Sequence, residues 1–280
     1  MLGYISNDTI IKYCASDLPV SQTIFIRGIF VTILILIFCL VKNSFKQSIN
    51  KNDWPLVFFR SVIDLCATLL FLTALFKMPL ANASAILQTL PLTVTLFGAV
   101  LLGEKFGIYR TFAICIGFIG VLLIIKPGSS GFNIYSLYAV AAVFFITARE
   151  IITRKISPNS STLLISLMTA ASIALIGGAG GFLTQNWVLL PTNTFIGLMA
   201  ASVFIFIAYY FSIPAMQFGE ISFVSPFRFT LMIWAVIFGF IFFKEIPDRL
   251  TILGLIIIIS AGSFTYFRER KKKLKQEPLN

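Results

Sequence analysis

Long apolar runs alternate with short polar or charged breaks along the whole chain. A helix of about 20 apolar residues crosses ~30 Å of hydrocarbon. The runs predict spans at Gln22–Val41, Leu56–Met78, Leu80–Leu102, Ile108–Ile125, Ile134–Ile152, Thr162–Leu183 and Thr194–Met216. Two more lie inside Gly219–Gly262, separated by the charged turn Lys244, Glu245, Asp248 and Arg249. The opening stretch, Met1–Ala15, is too short to span and carries Asn7, Asp8 and Lys12. It reads either as the second half of a helix whose beginning is missing or as an interfacial amphipathic stub. The short alternating segments of a membrane β-barrel are not found. The expected class is an all-α polytopic membrane protein.

Polar residues inside such spans are costly and so point to function. Asp8 and Lys12 are four apart, so they lie on one helix face and can pair. Arg27 lies about one turn into its span, where snorkelling to the headgroups and a site role both fit. Arg60 and Asp64 form an i,i+4 set of opposite charge, either part of a site or a structural intrahelical pair. Ser84, Gln88, Pro91 and Thr95 fall on one face of the Leu80–Leu102 segment. Cavity lining and helix–helix packing both account for that stripe. Arg149 and Glu150 are neighbours about 100° apart on a helix, so one is expected inward and the other toward the headgroups. Arg228, in Ser225-Pro226-Phe227-Arg228, is the strongest single candidate for a functional charge. The aromatic cluster Phe204, Phe206, Tyr209, Tyr210 and Phe211 adds flat apolar faces.

Composition sharpens the class. Hydrophobic residues make up 58% of the 280 and charged ones 12%, against about 45–50% and about 25% in soluble domains. The net charge of +11 is explained by topology rather than nucleic acid. With the C-terminal tail inside, thirteen Lys and Arg fall on the inner side and four on the outer. That bias places the C-terminus in the cytoplasm and makes the basic tail a membrane-surface anchor. The four cysteines (Cys14, Cys39, Cys66, Cys115) have no CxxC spacing and read as small buried residues. There is no histidine, no P-loop and no cleavable leader pattern. No cofactor and no metal site are expected.

The segment Met78–Gly120 has the same layout as Gly219–Gly262. Glu104 and Glu245 each close an apolar helix and open the next, and the shift of 141 between them also carries Ser84 onto Ser225. It carries Leu87 onto Arg228, so the arginine does not belong to what the halves share. Glu104 and Glu245, common to both, read as structural turn residues. Five spans per half force the second half to be inverted, the architecture of alternating-access carriers. The expected organisation is 1–127 (first repeat, its first helix partial), 128–132 (linker), 133–267 (second repeat) and 268–280 (basic tail).

This layout resembles the drug/metabolite transporter superfamily, EamA type. More narrowly, Asn7-Asp8-x-x-x-Lys12-Tyr13, Pro226-Phe227-Arg228-Phe229 and Glu245-x-Pro247-Asp248 are similar to the S-adenosylmethionine uptake transporters of obligate intracellular bacteria. The resemblance implies a secondary carrier in the bacterial inner membrane with a small-molecule substrate, and a first helix that begins about a dozen positions late relative to the family. For S-adenosylmethionine, Arg228 and then Arg27 suit the carboxylate. Asp8, Asp64 and Tyr209 suit the cationic part, with Arg60 and Gln88 nearby in the polar faces, and Phe227 or Tyr210 suit adenine. An exporter of amino acids, other metabolites or drugs on the same fold is the alternative. A membrane-embedded enzyme is a remote one, since the intramembrane acids occur singly and histidine is missing.

Overall fold

The computed structural model describes residues 1–46, 48–102, 108–127, 132–157, 159–184, 187–218 and 230–276. Among these, the chain is helical with no strand: α1 (Leu2–Cys14), α2 (Val20–Val41), α3 (Trp54–Lys77), α4 (Leu80–Leu87), α5 (Leu90–Leu102), α6 (Ile108–Ile125), α7 (Tyr135–Lys155), α8 (Thr162–Thr184), α9 (Thr192–Phe218), α10 (Thr230–Phe243) and α11 (Arg249–Gln276). The segments at Val20–Val41, Lys51–Lys77, Leu80–Gly98, Tyr135–Lys155 and Thr162–Leu183 are long and apolar enough to cross a membrane. Leu36, Ile37, Leu40 and Phe112 are among the large apolar side chains left on the outside, as a lipid-facing surface requires. Cys14 and Cys39 are buried, but Cys115 is exposed on α6, against the expectation that all four would be buried. In a bilayer, a small apolar thiol facing lipid carries no penalty.

The expected single segment Leu80–Leu102 is two helices. The break falls at Gln88–Thr89, and Pro91 sits in the first turn of α5. There its missing N–H costs nothing and its fixed φ suits the start of a helix. The stripe predicted across this segment is therefore interrupted. Ser84 and Gln88 are buried on the α4 side of the break, and Pro91 belongs to the next helix.

The packing is two-fold. α2 packs on α8, α6 on α11 and α4 on α10, while α1 packs on α9 and α3 on α7. Let α1, α2, α3, α4–α5 and α6 correspond in order to α7, α8, α9, α10 and α11. Exchanging the halves then returns every one of these pairings. Helix ends keep the shift of 141: Cys14 to Lys155, Lys77 to Phe218, Ile108 to Arg249. Equivalent helices also run antiparallel. On α2 and α8, Gly28 meets Ala174 while Gly177 meets Ile24. On α6 and α11, Gly117 faces Ala261 while Gly120 faces Gly254. The axis therefore lies in the membrane plane, and the repeat is inverted. Gly120 and Gly254 make the second crossing possible. A Cβ on Gly120 would stand 2.8 Å from the Gly254 carbonyl oxygen, and one on Gly254 would stand 2.5 Å from that of Gly120. Only glycine permits backbones this close.

Candidate functional site

Two polar clusters lie in the bundle, the first around buried Asn7 and the second reaching exposed Thr153 near the end of α7, and each joins one repeat to the other. In the first, Asn7 and Asp8 of α1 meet Arg27 of α2. Asn7 is buried; its Nδ2 donates to Asp8 Oδ1 (2.9 Å) and its Oδ1 accepts from Arg27 NH1 (3.4 Å). Arg27 and Asp8 lie within electrostatic reach of each other. Ser202 of α9 donates to the backbone carbonyl of Arg27 (3.3 Å). In the second, Arg149 of α7 donates to Asp64 of α3 through NH1 (2.8 Å) and to Glu150 through NH2 (2.8 Å). Arg60 of α3 donates to Thr153 of α7 (2.9 Å) and Thr169 of α8 (2.7 Å). Ser61 of α3 shares a 3.2 Å hydrogen bond with Thr169. Arg27, Asp64 and Ser202 lie in the middle third of their helices, with Arg149 just beyond it.

Two local pairings are replaced, and one expected separation is not found. Lys12 does not pair with Asp8. It lies at the end of α1, where its ammonium reaches Glu245 Oε1 (2.6 Å) in the α10–α11 turn and the Met78 carbonyl oxygen (2.5 Å). Asp64 does not pair with Arg60. The guanidinium of Arg149, arriving from the other repeat, takes that carboxylate instead, and Arg60 turns to two threonine hydroxyls. Nor do Arg149 and Glu150 part company. A long arginine side chain overcomes the offset of about 100° expected between neighbours on a helix, because its fork carries several N–H donors and can serve two acids at once.

The remaining candidates divide as follows. Gln88 is buried at the α4–α5 break. Tyr210 is partly exposed and packs edge-on against Phe38 of α2 (5.0 Å between ring centres), beside Phe206 and Phe211. Tyr209 lies in α9. Phe227, Arg228 and Glu104 lie outside the described residues. Glu245 also accepts the Leu80 N–H through Oε2 (2.7 Å), which caps the N-terminus of α4.

The site also takes in Arg149, Glu150, Ser61, Thr169 and Ser202, which local spacing does not mark as site residues. A signal exists for Arg149, Ser61 and Ser202. The shift of 141 carries Ser61 onto Ser202 and Asp8 onto Arg149.

The EamA-like transporter family model matches residues 2–126 and again 133–267. The chain belongs to this family. It is a multi-pass membrane transporter with a small-molecule substrate, and its relatives are named for transport rather than catalysis. It is 25% identical over 277 residues to the S-adenosylmethionine uptake transporter of Rickettsia bellii, covering 97% of this chain and 92% of that one. It is 27% identical over 262 residues to the riboflavin transporter of Vibrio cholerae (92% and 87%). It is 25% identical over 256 residues to a pseudopaline exporter of Pseudomonas aeruginosa (91% and 88%). A crystal structure 14% identical in sequence superposes with a TM-score of 0.67, covering 96% of this chain and 97% of its own, which shows the fold.

Proposed function

We propose that the protein is a secondary carrier that moves S-adenosylmethionine by alternating access, as uptake or exchange, across a bacterial inner membrane with its C-terminus in the cytoplasm. The observation that carries the reading is the pair of charged clusters at mid-depth, each bridging the two repeats. A neutral ligand gives no reason to hold Asp8, Arg27, Asp64 and Arg149 in hydrocarbon, where each charge is costly. S-adenosylmethionine carries a carboxylate, an ammonium and a sulfonium, and so has a partner for each kind of charge. Arg27 and Arg228 suit the carboxylate, and Asp8 and Asp64 suit the cationic groups. Phe227 and Tyr210 remain candidates for the adenine face and Tyr209 for the cationic groups, and Gln88 suits the adenine edge. Rickettsial relatives named as S-adenosylmethionine uptake transporters support the same choice. The excess of Lys and Arg on the side of the C-terminal tail supports the cytoplasmic placement of that tail.

The test is uptake of labelled S-adenosylmethionine into liposomes holding the purified protein. Saturable uptake is expected, reduced at least about 100-fold by Arg27→Ala or Arg228→Ala, the loss that follows when a charged recognition group is removed. Saturable uptake of riboflavin that S-adenosylmethionine fails to inhibit would sink the proposal. A second reading, export of an amino-acid-like metabolite, draws on the pseudopaline exporter relative. Efflux from preloaded vesicles with no uptake in the opposite orientation would favour it.

A further inference from the structure

We propose that Lys12 and Glu245 form a latch that shuts one end of the carrier, and that the opposite end has no equal of it. The termini of α1, α3, α4, α6, α7, α10 and α11 that meet at this end are knotted together by a few groups. Lys12 Nζ bonds Glu245 Oε1 and the Met78 carbonyl, and it lies over the Phe243 ring, 5.1 Å from its centre. The other oxygen of Glu245 holds the first N–H of α4. Lys126, just past α6, pairs with Asp248 in the same turn as Glu245. Asn133 Nδ2, before α7, donates to the Lys77 carbonyl at the end of α3 (3.0 Å). Among the described residues, Glu245 ties α1 (through Lys12) and α4 (through the Leu80 N–H) of the first repeat to the α10–α11 turn of the second. Both side chains of the Lys12–Glu245 pair are largely withdrawn from solvent, 10% and 21% exposed, which strengthens an ion pair relative to an open surface.

In an inverted repeat, the contacts that close one end in one state are expected to reappear, shifted by one repeat, when the other end closes. The shift of 141 takes Glu245 back to Glu104 but takes Lys12 to Thr153. It takes Lys126 to Phe267 and Asp248 to Gly107. Neither ion pair recurs at the positions the shift assigns to it. Thr153 is moreover occupied, since it accepts from Arg60 and donates to the Arg149 carbonyl. Among the described residues, the far end is tied instead by Asp53, which accepts from Ser157 and Ser160. The two closed states are therefore held unequally. The empty carrier rests with the Lys12 end shut, and substrate must work against an ion pair to open that end alone. This holds whatever the substrate is.

The experiment needs no transport assay, so its outcome is separate from that of the substrate proposal. Met78 is buried under the latch, and Met78→Cys is introduced where Cys39, buried near the opposite end of α2, is the one native cysteine retained. The protein is placed in nanodiscs, and its reaction with a membrane-impermeant maleimide is followed at both thiols by mass spectrometry. Lys12→Met and Glu245→Gln are each expected to speed labelling at position 78 by about tenfold or more, the size set by losing one charged hydrogen bond. The glutamine keeps an acceptor for the Leu80 N–H, so its effect isolates the ion pair. Lys12→Arg is expected to stay protected, and Cys39 to stay unlabelled throughout. Unchanged labelling at position 78 in both variants overturns the latch. So does Cys39 becoming reactive in step with position 78, since that is general loosening rather than the opening of one end.

Discussion

The α1–α2–α9 cluster and the α7–α8–α3 cluster occupy the same place in the two repeats, and they share a skeleton without sharing a chemistry. Ser202 reaches from α9 to the backbone of α2, and Ser61, its counterpart in the first repeat, reaches from α3 to Thr169 of α8. These bridges survive in both halves because the helix crossings they staple are the same. The charges do not survive. Asp8 is matched by Arg149, Asp64 by Ile205, Arg60 by Ala201 and Arg27 by Met168. A two-fold scaffold thus carries a lopsided set of charges. A substrate with distinct ends is better met by a lopsided site than by two identical half-sites. Among the described residues the second cluster is also the more completely knit: Arg149 serves two acids, while Asp8 is held by one amide and by the nearby charge of Arg27.

The largest expected effect follows from that inequality. Arg149→Met leaves Asp64 without its cation in a low-dielectric interior and should destabilise the protein by ~3–5 kcal/mol. Asp8→Asn leaves Arg27 with Asn7 and should cost only about 1–2 kcal/mol. Thermal unfolding in detergent distinguishes the two, and equal losses would erase the contrast between the clusters. The double variant Arg149→Met/Asp64→Leu should regain most of the stability, because replacing a buried pair with apolar groups of similar size is often neutral and Glu150, the other acid on Arg149, is 34% exposed and open to solvation. It should not regain transport.

These clusters also mark how far the sequence could be read. The spans were legible because bilayer thickness imposes one length on every apolar run, and the inversion was legible because five spans per half leave no other choice. Single charges stood out for the same reason, since hydrocarbon makes each one conspicuous. Their partners were not legible. Local spacing offered Asp8 to Lys12 and Arg60 to Asp64, both sterically sound i,i+4 pairs. Glu245 and Arg149, each supplied from the other repeat, won because the fold delivers them with further acceptors or donors attached. The break at Gln88–Thr89 was hidden too. Pro91 pointed to a distortion but fits the start of a helix as well as the middle of a kinked one.

The turn behind the latch gives a smaller test. Just past the end of α10, Lys244 has a φ of 55°, in the left-handed region. Its counterpart in the first repeat is Gly103, the residue type that takes this conformation at little cost. Lys244→Gly should therefore stabilise by about 1 kcal/mol, relieving left-handed strain at some cost in chain entropy. Lys244→Ala, which keeps a Cβ, should give no such gain. A melting temperature raised equally by both would mean that the lysine side chain, not its backbone, is the unfavourable element.

The smallest effect concerns the outer pair of the knot. Lys126 donates to one oxygen of Asp248, and Thr251 donates its hydroxyl and its backbone N–H (3.2 Å) to the other, capping α11. These bonds, Lys126 first, hold the carboxyl down to about 2 from an ordinary 3.8. A depressed acid contributes its full stabilisation above the unfolded value, near pH 4, and loses it as pH falls toward 2. Stability should therefore drop across that acid window and not near neutrality. The carboxylate is about half exposed (48%), so solvent screening keeps the step shallow. Lys126→Met should shrink the drop by removing its main cause, and Asp248→Asn should abolish this group's share. The first repeat has Gly107 in the matching place and so contributes nothing to titrate there. An acid step that survives Asp248→Asn unchanged must arise from other carboxylates, and the charge difference between the two ends would then be without thermodynamic consequence.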